Sequence, residues 1–190
     1  RVDPKAAFRS LDGRASPQPS LYSPVTPVLR LNKEDGRLRE SDFTADALAK
    51  DTNLAAMDWE EFEHLVRELF SKEFSSETAV VKVTQASRDG GVDAIAYDDD
   101  PIRGGKFVIQ AKRYTNTVDV AAVRELYAVV IDEGANRGIL VTTSHFGSDS
   151  YDYVKDKPIT LLNGNELLGL LRKNGHSFRI DLAEAKKLNR

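Results

Sequence analysis

The sequence predicts an α/β protein, a three-layer sandwich with helices on both faces of a mixed sheet and a core that runs αβββαβ. Three observations predict it. Helical and strand periods alternate from Asp58 onward. Two strand-like runs are joined by the turn-rich loop DDDPIRGG at 98–105, which makes them a hairpin. The run GILVTT at 138–143 is the unbroken, largely apolar stretch that a strand covered on both faces requires.

The elements follow in order. The first 27 residues hold five of the seven prolines among Ser and Arg, without sustained apolar periodicity, and read as an extended linker or arm. In ESDFTADALAKDTNLAAM at 40–57 the apolar face is thin, and at most a short helix is expected. DWEEFEHLVRELFSKEF at 58–74 carries Trp59, Phe62, Leu65, Val66, Leu69 and Phe70 at helical spacing behind an Asp58 N-cap. TAVVKVTQ, VDAIAY and KFVIQAKRY are the three strands of the core. VDVAAVRELYAVVIDEG places Val123, Leu126, Tyr127, Val130 and Ile131 on one face of a second helix, with Asp119 as its N-cap. After GILVTT come a short helix in SDSYDYVKD, a strand in ITLL, a turn at Asn163 and Gly164, and a closing helix in NELLGLLRK. The domain is expected over 58–175, with 1–57 as arm or linker and 176–190 as a C-terminal tail. The chain starts at Arg1 rather than Met, so a processed chain or a fragment of something longer is expected, with an N-terminal regulatory or targeting region absent from it.

Composition narrows the chemistry. With 190 residues, 41% hydrophobic and 30% charged, the chain can bury the core of one medium domain. No apolar run is long enough to span a bilayer and no signal segment opens the chain, so a cytoplasmic location is expected. Cysteine is absent, which excludes disulfides, thiolate nucleophiles and Cys-based zinc sites and leaves carboxylates as metal ligands.

Within RDGGVDAIAY at 88–97, Gly90 and Gly91 permit a tight turn that delivers Asp93 to the start of a strand at an edge or cleft. Taken alone, Asp93 also fits a turn-capping aspartate. In the next strand Gln110 and Lys112 project to one side while Ile109 and Ala111 project to the other, and the hairpin brings that polar pair beside Asp93. Glu63 lies at the edge of the first helix's apolar stripe, apart from the solvent-facing Glu60, Glu61 and Glu68, although a surface ion-pair glutamate explains it as well. Two carboxylates and an amide suit Mg²⁺, for which Mn²⁺ substitutes, and a lysine beside the metal suits hydrolysis of a phosphodiester.

At these residues the sequence resembles the Mrr-type restriction endonuclease domain, a branch of the PD-(D/E)xK nuclease superfamily. WEEFEHLV, DGGVDAIAY, QAKRY, GILVTTSHF and ITLLNGNELL carry the likeness over roughly residues 58–172. The resemblance implies a restriction-endonuclease-like core. It implies catalytic roles for Asp93, Gln110, Lys112 and Glu63, of which Asp93, Gln110 and Glu63 would hold the metal and Lys112 would serve the hydrolytic water. Most of the superfamily has a carboxylate where this chain has Gln110, whereas glutamine is usual in the Mrr branch. A neutral amide contributes less to a cation, so Asp93 would carry most of the binding. The implied activity is Mg-dependent cleavage of double-stranded DNA, as the cleavage module of a prokaryotic restriction or antiviral defence protein. A homodimer or larger assembly would be needed for double-strand cleavage.

Weaker candidates for DNA contact are Gln85, Ser87, Arg88, Arg113, Tyr114 and Thr143, with Asp89 read as a turn cap and His64 placed on the solvent face. Residues 58–190 contain 18 Lys and Arg against 22 Asp and Glu, a net of −4, so a local ring of Lys82, Arg88, Lys106, Lys112 and Arg113 is expected to make the cleft positive. The competing readings are a noncatalytic DNA- or protein-binding module that retains the fold, and a junction-resolving or repair nuclease.

Overall fold

The computed structural model describes residues 29–31, 38–40, 45, 48–74, 79–82, 91–98, 100, 102 and 104–188. Within the stretch read as an arm, β1 (Leu29–Leu31) and β2 (Leu38–Glu40) pair antiparallel. The main body follows the expected order: α1 (Trp59–Glu73), β3 (Ala79–Lys82), β4 (Ala94–Asp98), β5 (Gly105–Lys112), α2 (Val120–Asp132), β6 (Arg137–Thr142), α3 (Ser148–Val154), β7 (Ile159–Leu162) and α4 (Gly164–Lys173). A further helix, α5 (Leu182–Leu188), follows.

The five strands lie in chain order, β3-β4-β5-β6-β7. The β3/β4 and β4/β5 pairs are antiparallel, while β5/β6 and β6/β7 are parallel, each parallel connection crossing over through a helix. α1 and α4 cover one face and α2 and α3 the other, giving the three layers. Strand alternation feeds two cores. Ala94, Ala96, Ile109, Ala111, Ile139 and Val141 meet Phe62, Leu65, Val66 and Leu69 of α1 and Leu167 and Leu171 of α4. Val108, Leu140, Ile159 and Leu161 meet Val123, Leu126 and Val130 of α2. α2 lies so close to β6 that a Cβ on Gly138 would stand 2.7 Å from Val130 Cγ2 and 2.8 Å from Ile159 Cδ1.

The helix starts are chemically specified. The Asp58 side chain accepts from Glu60 N–H at 2.9 Å, and Asp119 accepts from Ala121 and Ala122 N–H. Asn163 and Glu166 form a reciprocal capping box on α4.

Several side chains fall outside the pattern read from the sequence. Trp59 and Ile131, expected on apolar faces, are exposed. Glu68 does not face solvent: it accepts Ala45 N–H at 2.6 Å and pairs with Lys72 at 2.9 Å. The packed body extends on both sides of 58–175. Leu54 and Ala55 are fully buried, and Asn53 bridges Arg179 as a parallel β-pair while its side chain bonds both the N–H and the carbonyl of Asp181. Phe178 and Ala185, from the stretch read as a tail, are buried.

Candidate active site

The glycine turn delivers Asp93 as its chemistry requires. Gly91 has φ +64, where a side chain is strained, and a Cβ there would stand 2.6 Å from Gln110 Nε2. Gly90 lies outside the described residues. The chain then enters β4 with Asp93 donating its N–H to the Ile109 carbonyl at 3.0 Å. The Asp93 side chain turns back on the same partner strand, and Oδ2 accepts Ala111 N–H at 2.6 Å. Asp93 is 4% exposed, and burial pushes its carboxyl above the ordinary aspartate value against the pull of that N–H, Arg67 and Lys112.

Gln110 lies on β5, one residue past Ile109, the partner of Ala94. Its Nε2 donates to the Gly91 carbonyl at 2.7 Å, which fixes the orientation of the amide, because the reverse would set oxygen against oxygen. The other end of the amide, Oε1, is buried and has no hydrogen-bond partner among the described residues. A buried acceptor left unpaired costs about 1–3 kcal/mol. A cation would satisfy it. Lys112, two residues on and half-buried, carries its charge into the same space, and the position of a Gly91 Cβ lies 4.0 Å from its Nζ. The end of β5 is held in place from β6, where the Thr142 hydroxyl donates to the Lys112 carbonyl at 2.7 Å.

α1 adds the remaining charges. Glu63 is half-buried, and its pKa is pushed from 4.5 up to about 7, first by burial and then by the Asp93 charge, with Arg67 and Lys112 opposing. Arg67, one turn further along, is 7% exposed; burial pulls its guanidinium below the ordinary arginine value, while Glu63 and Asp93 hold it up. Its Nη2 lies 2.6 Å from His64 Nδ1, so His64 faces the protein rather than solvent. Sequence reasoning missed Arg67. The available signal was its position four residues after Glu63, inside a run of core residues.

Glu63, Asp93, Gln110 and Lys112 are thus brought together, and the other candidates are not. Arg113 donates through Nη1 to the Ala55 carbonyl at 2.9 Å, and its buried Nε has no partner among the described residues. The Thr143 hydroxyl is buried and donates to the Tyr114 carbonyl at 2.8 Å, leaving nothing for a phosphate. Lys106 sits six residues from Lys112 on the same strand, about 20 Å away, and its Nζ is bound by Glu133. Of the expected positive ring, Lys106 and Arg113 are therefore engaged elsewhere. Tyr114 is exposed beyond the end of β5. Gln85, Ser87, Arg88 and Asp89 lie outside the described residues, as does the side chain of Lys82.

The donor set suits a hard divalent cation. Among the described residues there is no group of three or more His, Cys, Asp and Glu that could hold a metal.

The mixed α/β sheet thus carries an acid, an amide and a lysine at the adjoining ends of neighbouring strands. The restriction endonuclease family model Mrr_cat matches residues 54–171, and the chain belongs to that family. The type IV methyl-directed restriction enzyme EcoKMrr of Escherichia coli is 30% identical over 102 residues, 53% of this chain and 33% of that protein. The solved DNA modification-dependent restriction endonuclease AspBHI is similar with a TM-score of 0.50 and 28% identity, over 67% of this chain and 34% of that one. MspJI restriction endonuclease, solved with a 27-mer oligonucleotide, matches with a TM-score of 0.48 and 24% identity, over 67% of this chain and 30% of that one. The chain thus spans about a third of the length of these relatives. Among the described residues no helix is long and apolar enough to cross a membrane.

Proposed function

We propose that this chain is the cleavage module of a divalent-metal-dependent DNA endonuclease, acting in the cytoplasm as part of prokaryotic defence against foreign or modified DNA. The observation that carries the reading is the buried Asp93 carboxylate beside the unpartnered Oε1 of Gln110, with the charge of Lys112 acting on the same space. Asp93, Gln110 and Glu63 would hold the cation. Bound Mg²⁺, or Mn²⁺ in its place, would polarise the phosphate and acidify a water. The chain's own residues do the rest. Asp93, fixed by Ala111 N–H, sets the position of the site. Lys112 Nζ orients the attacking water, takes part in moving its proton and offsets negative charge gathering on the phosphate. Arg67 and Lys112 balance the two acids before a cation arrives.

Targeting is assigned to residues beyond this site or to a partner, because the 58–190 stretch carries a net −4 and the expected basic ring is incomplete. One such site cuts one strand, so cutting both takes two copies of the chain. The test is cleavage of supercoiled plasmid with Mg²⁺, with Mn²⁺ and with EDTA. The unsubstituted chain at low concentration nicks in either metal and not in EDTA, and linear product appears as concentration rises. Asp93→Ala loses both cleavage and metal binding, and Lys112→Ala loses cleavage while calorimetric metal binding survives. Cleavage at the unsubstituted rate by either variant overturns the reading, and efficient linearisation by a demonstrated monomer overturns the two-copy requirement.

A further inference from the structure

We infer that Arg67 is the site's resident counter-cation, a buried and permanent positive charge that offsets the Glu63 and Asp93 carboxylates before metal arrives and so holds the affinity for a divalent cation down. The inference rests on the nuclease reading and deepens it. Arg67 follows Glu63 by four residues on α1, which sets the two side chains one above the other, about 5–6 Å apart at Cβ. Like Asp93 it is buried, whereas Glu63 is half-buried. A guanidinium has donors only and stays protonated, so its Nη2 contact at 2.6 Å makes His64 Nδ1 the bare ring nitrogen that accepts. That bond anchors the guanidinium to the preceding turn of its own helix. Among the described residues, no ion pair or hydrogen bond joins Arg67 to Glu63 or to Asp93. The acids therefore feel its charge without giving up their oxygens. Both Glu63 oxygens and Asp93 Oδ1 have no hydrogen-bond partner among the described residues, and Asp93 Oδ2 accepts from Ala111 N–H.

With both acids ionised, Glu63 and Asp93 against Arg67 and Lys112 carry no net charge, so a divalent ion meets far less attraction than two bare carboxylates would exert. Of the two cations, Arg67 acts more strongly than Lys112 on each acid. It is also the one that cannot swing away, because it is buried and anchored, whereas Lys112 is half-buried on a flexible four-carbon stem. An incoming Mg²⁺ thus binds against a fixed like charge. An arginine that only packed beneath α1 would leave metal affinity alone, or support it.

The test is calorimetric titration of Mg²⁺ at pH 8, with thermal melts in EDTA and at one fixed Mg²⁺ concentration. Arg67→Met removes the charge while filling the space, and it tightens Mg²⁺ binding about tenfold, the scale of removing one unit charge that faces a divalent ion in a partly solvated site. The gain in Tm on adding Mg²⁺ grows with it. Arg67→Lys keeps the charge and holds the affinity within about twofold of the unsubstituted chain. Lys112→Ala tightens binding less than Arg67→Met does. Unchanged or weaker Mg²⁺ binding by Arg67→Met overturns the inference, as does an Arg67→Lys chain that behaves like Arg67→Met, or a Lys112→Ala effect as large. An Arg67→Met chain that stays unfolded in saturating Mg²⁺ also overturns it, since Arg67 would then be a structural part of α1. If the unsubstituted chain binds no divalent ion and cuts no DNA, the nuclease reading falls and this inference falls with it; if it binds and cuts, and Arg67→Met binds Mg²⁺ equally well, only the role of Arg67 is lost.

Discussion

Replacing Glu63 by Gln tests the electrostatics of the site without removing a core side chain. The Glu63 carboxyl is raised from 4.5 to about 7 by burial and by Asp93, with a smaller push from Glu60, against Arg67 and Lys112. Below the unfolded value the group is neutral in both states and costs the fold nothing. Between 4.5 and about 7 the unfolded chain has released the proton that the folded chain retains, so stability falls across that window and levels off above it. The gap between 4.5 and about 7, at about 1.4 kcal/mol per pH unit, sets an upper bound of roughly 3.4 kcal/mol. Glu63 is only half-buried, and solvent screening reduces this to about 1–2 kcal/mol. At about 2–4 °C per kcal/mol for a chain of this length, Glu63→Gln in EDTA raises Tm by about 2–8 °C at pH 8 and by about a quarter of that at pH 5. Saturating Mg²⁺ at pH 8 reverses the order, because the ionised acid then gains a cation that the amide holds less well. The assay is a thermal melt of both proteins at the two pH values, with EDTA and with Mg²⁺. Equal gains at pH 5 and pH 8, or a lower Tm for the variant at pH 8 in EDTA, would refute the reasoning.

Two further substitutions probe the amide and the turn. Gln110→Glu tightens calorimetric Mg²⁺ binding but lowers the metal-free Tm, because an oxygen then replaces the Nε2 that donates to the Gly91 carbonyl at 2.7 Å, at a cost of about 1–3 kcal/mol; Gln110→Ala loses cleavage, and an unchanged metal-free melt for the Glu variant would count against the assigned amide orientation. Gly91→Ala forces a side chain into φ +64 at a cost of about 1–2 kcal/mol and drives a Cβ to 2.6 Å from Gln110 Nε2, so both Tm and Mg²⁺ affinity fall; a normal Mg²⁺ titration would show that the turn does not set the amide.

Relations between near neighbours in the chain were legible in the sequence, because periodicity and capping are local. Asp58 and Asp119 cap the helices that their positions announce, and the alternation along KFVIQAKRY sends Ile109 and Ala111 into the core beneath α1 while Gln110 turns to the Gly91 carbonyl. The DGGVD turn and the QAK strand, read together, were enough to assemble Asp93, Gln110 and Lys112. What each charge meets depends on elements far apart in the chain, and the tertiary structure alone decided it. Lys106 has the same strand parity as Lys112 but lies at the far end of β5, and what its amine meets there is Glu133 at the end of α2, 27 residues on. Arg113 follows Lys112 directly, but the loop holding Ala55, 58 residues earlier, takes its guanidinium. Thr143 ends a strand where a phosphate contact was expected, and the Tyr114 carbonyl claims its hydroxyl. Along α1 the same helical period contains a buried cation at Arg67 and an exposed indole at Trp59. A hydrophobic period tells which side of a helix faces the protein; how far the protein extends beneath that side is set by the elements it packs on, and that is where the difference between a core tryptophan and an exposed one arises.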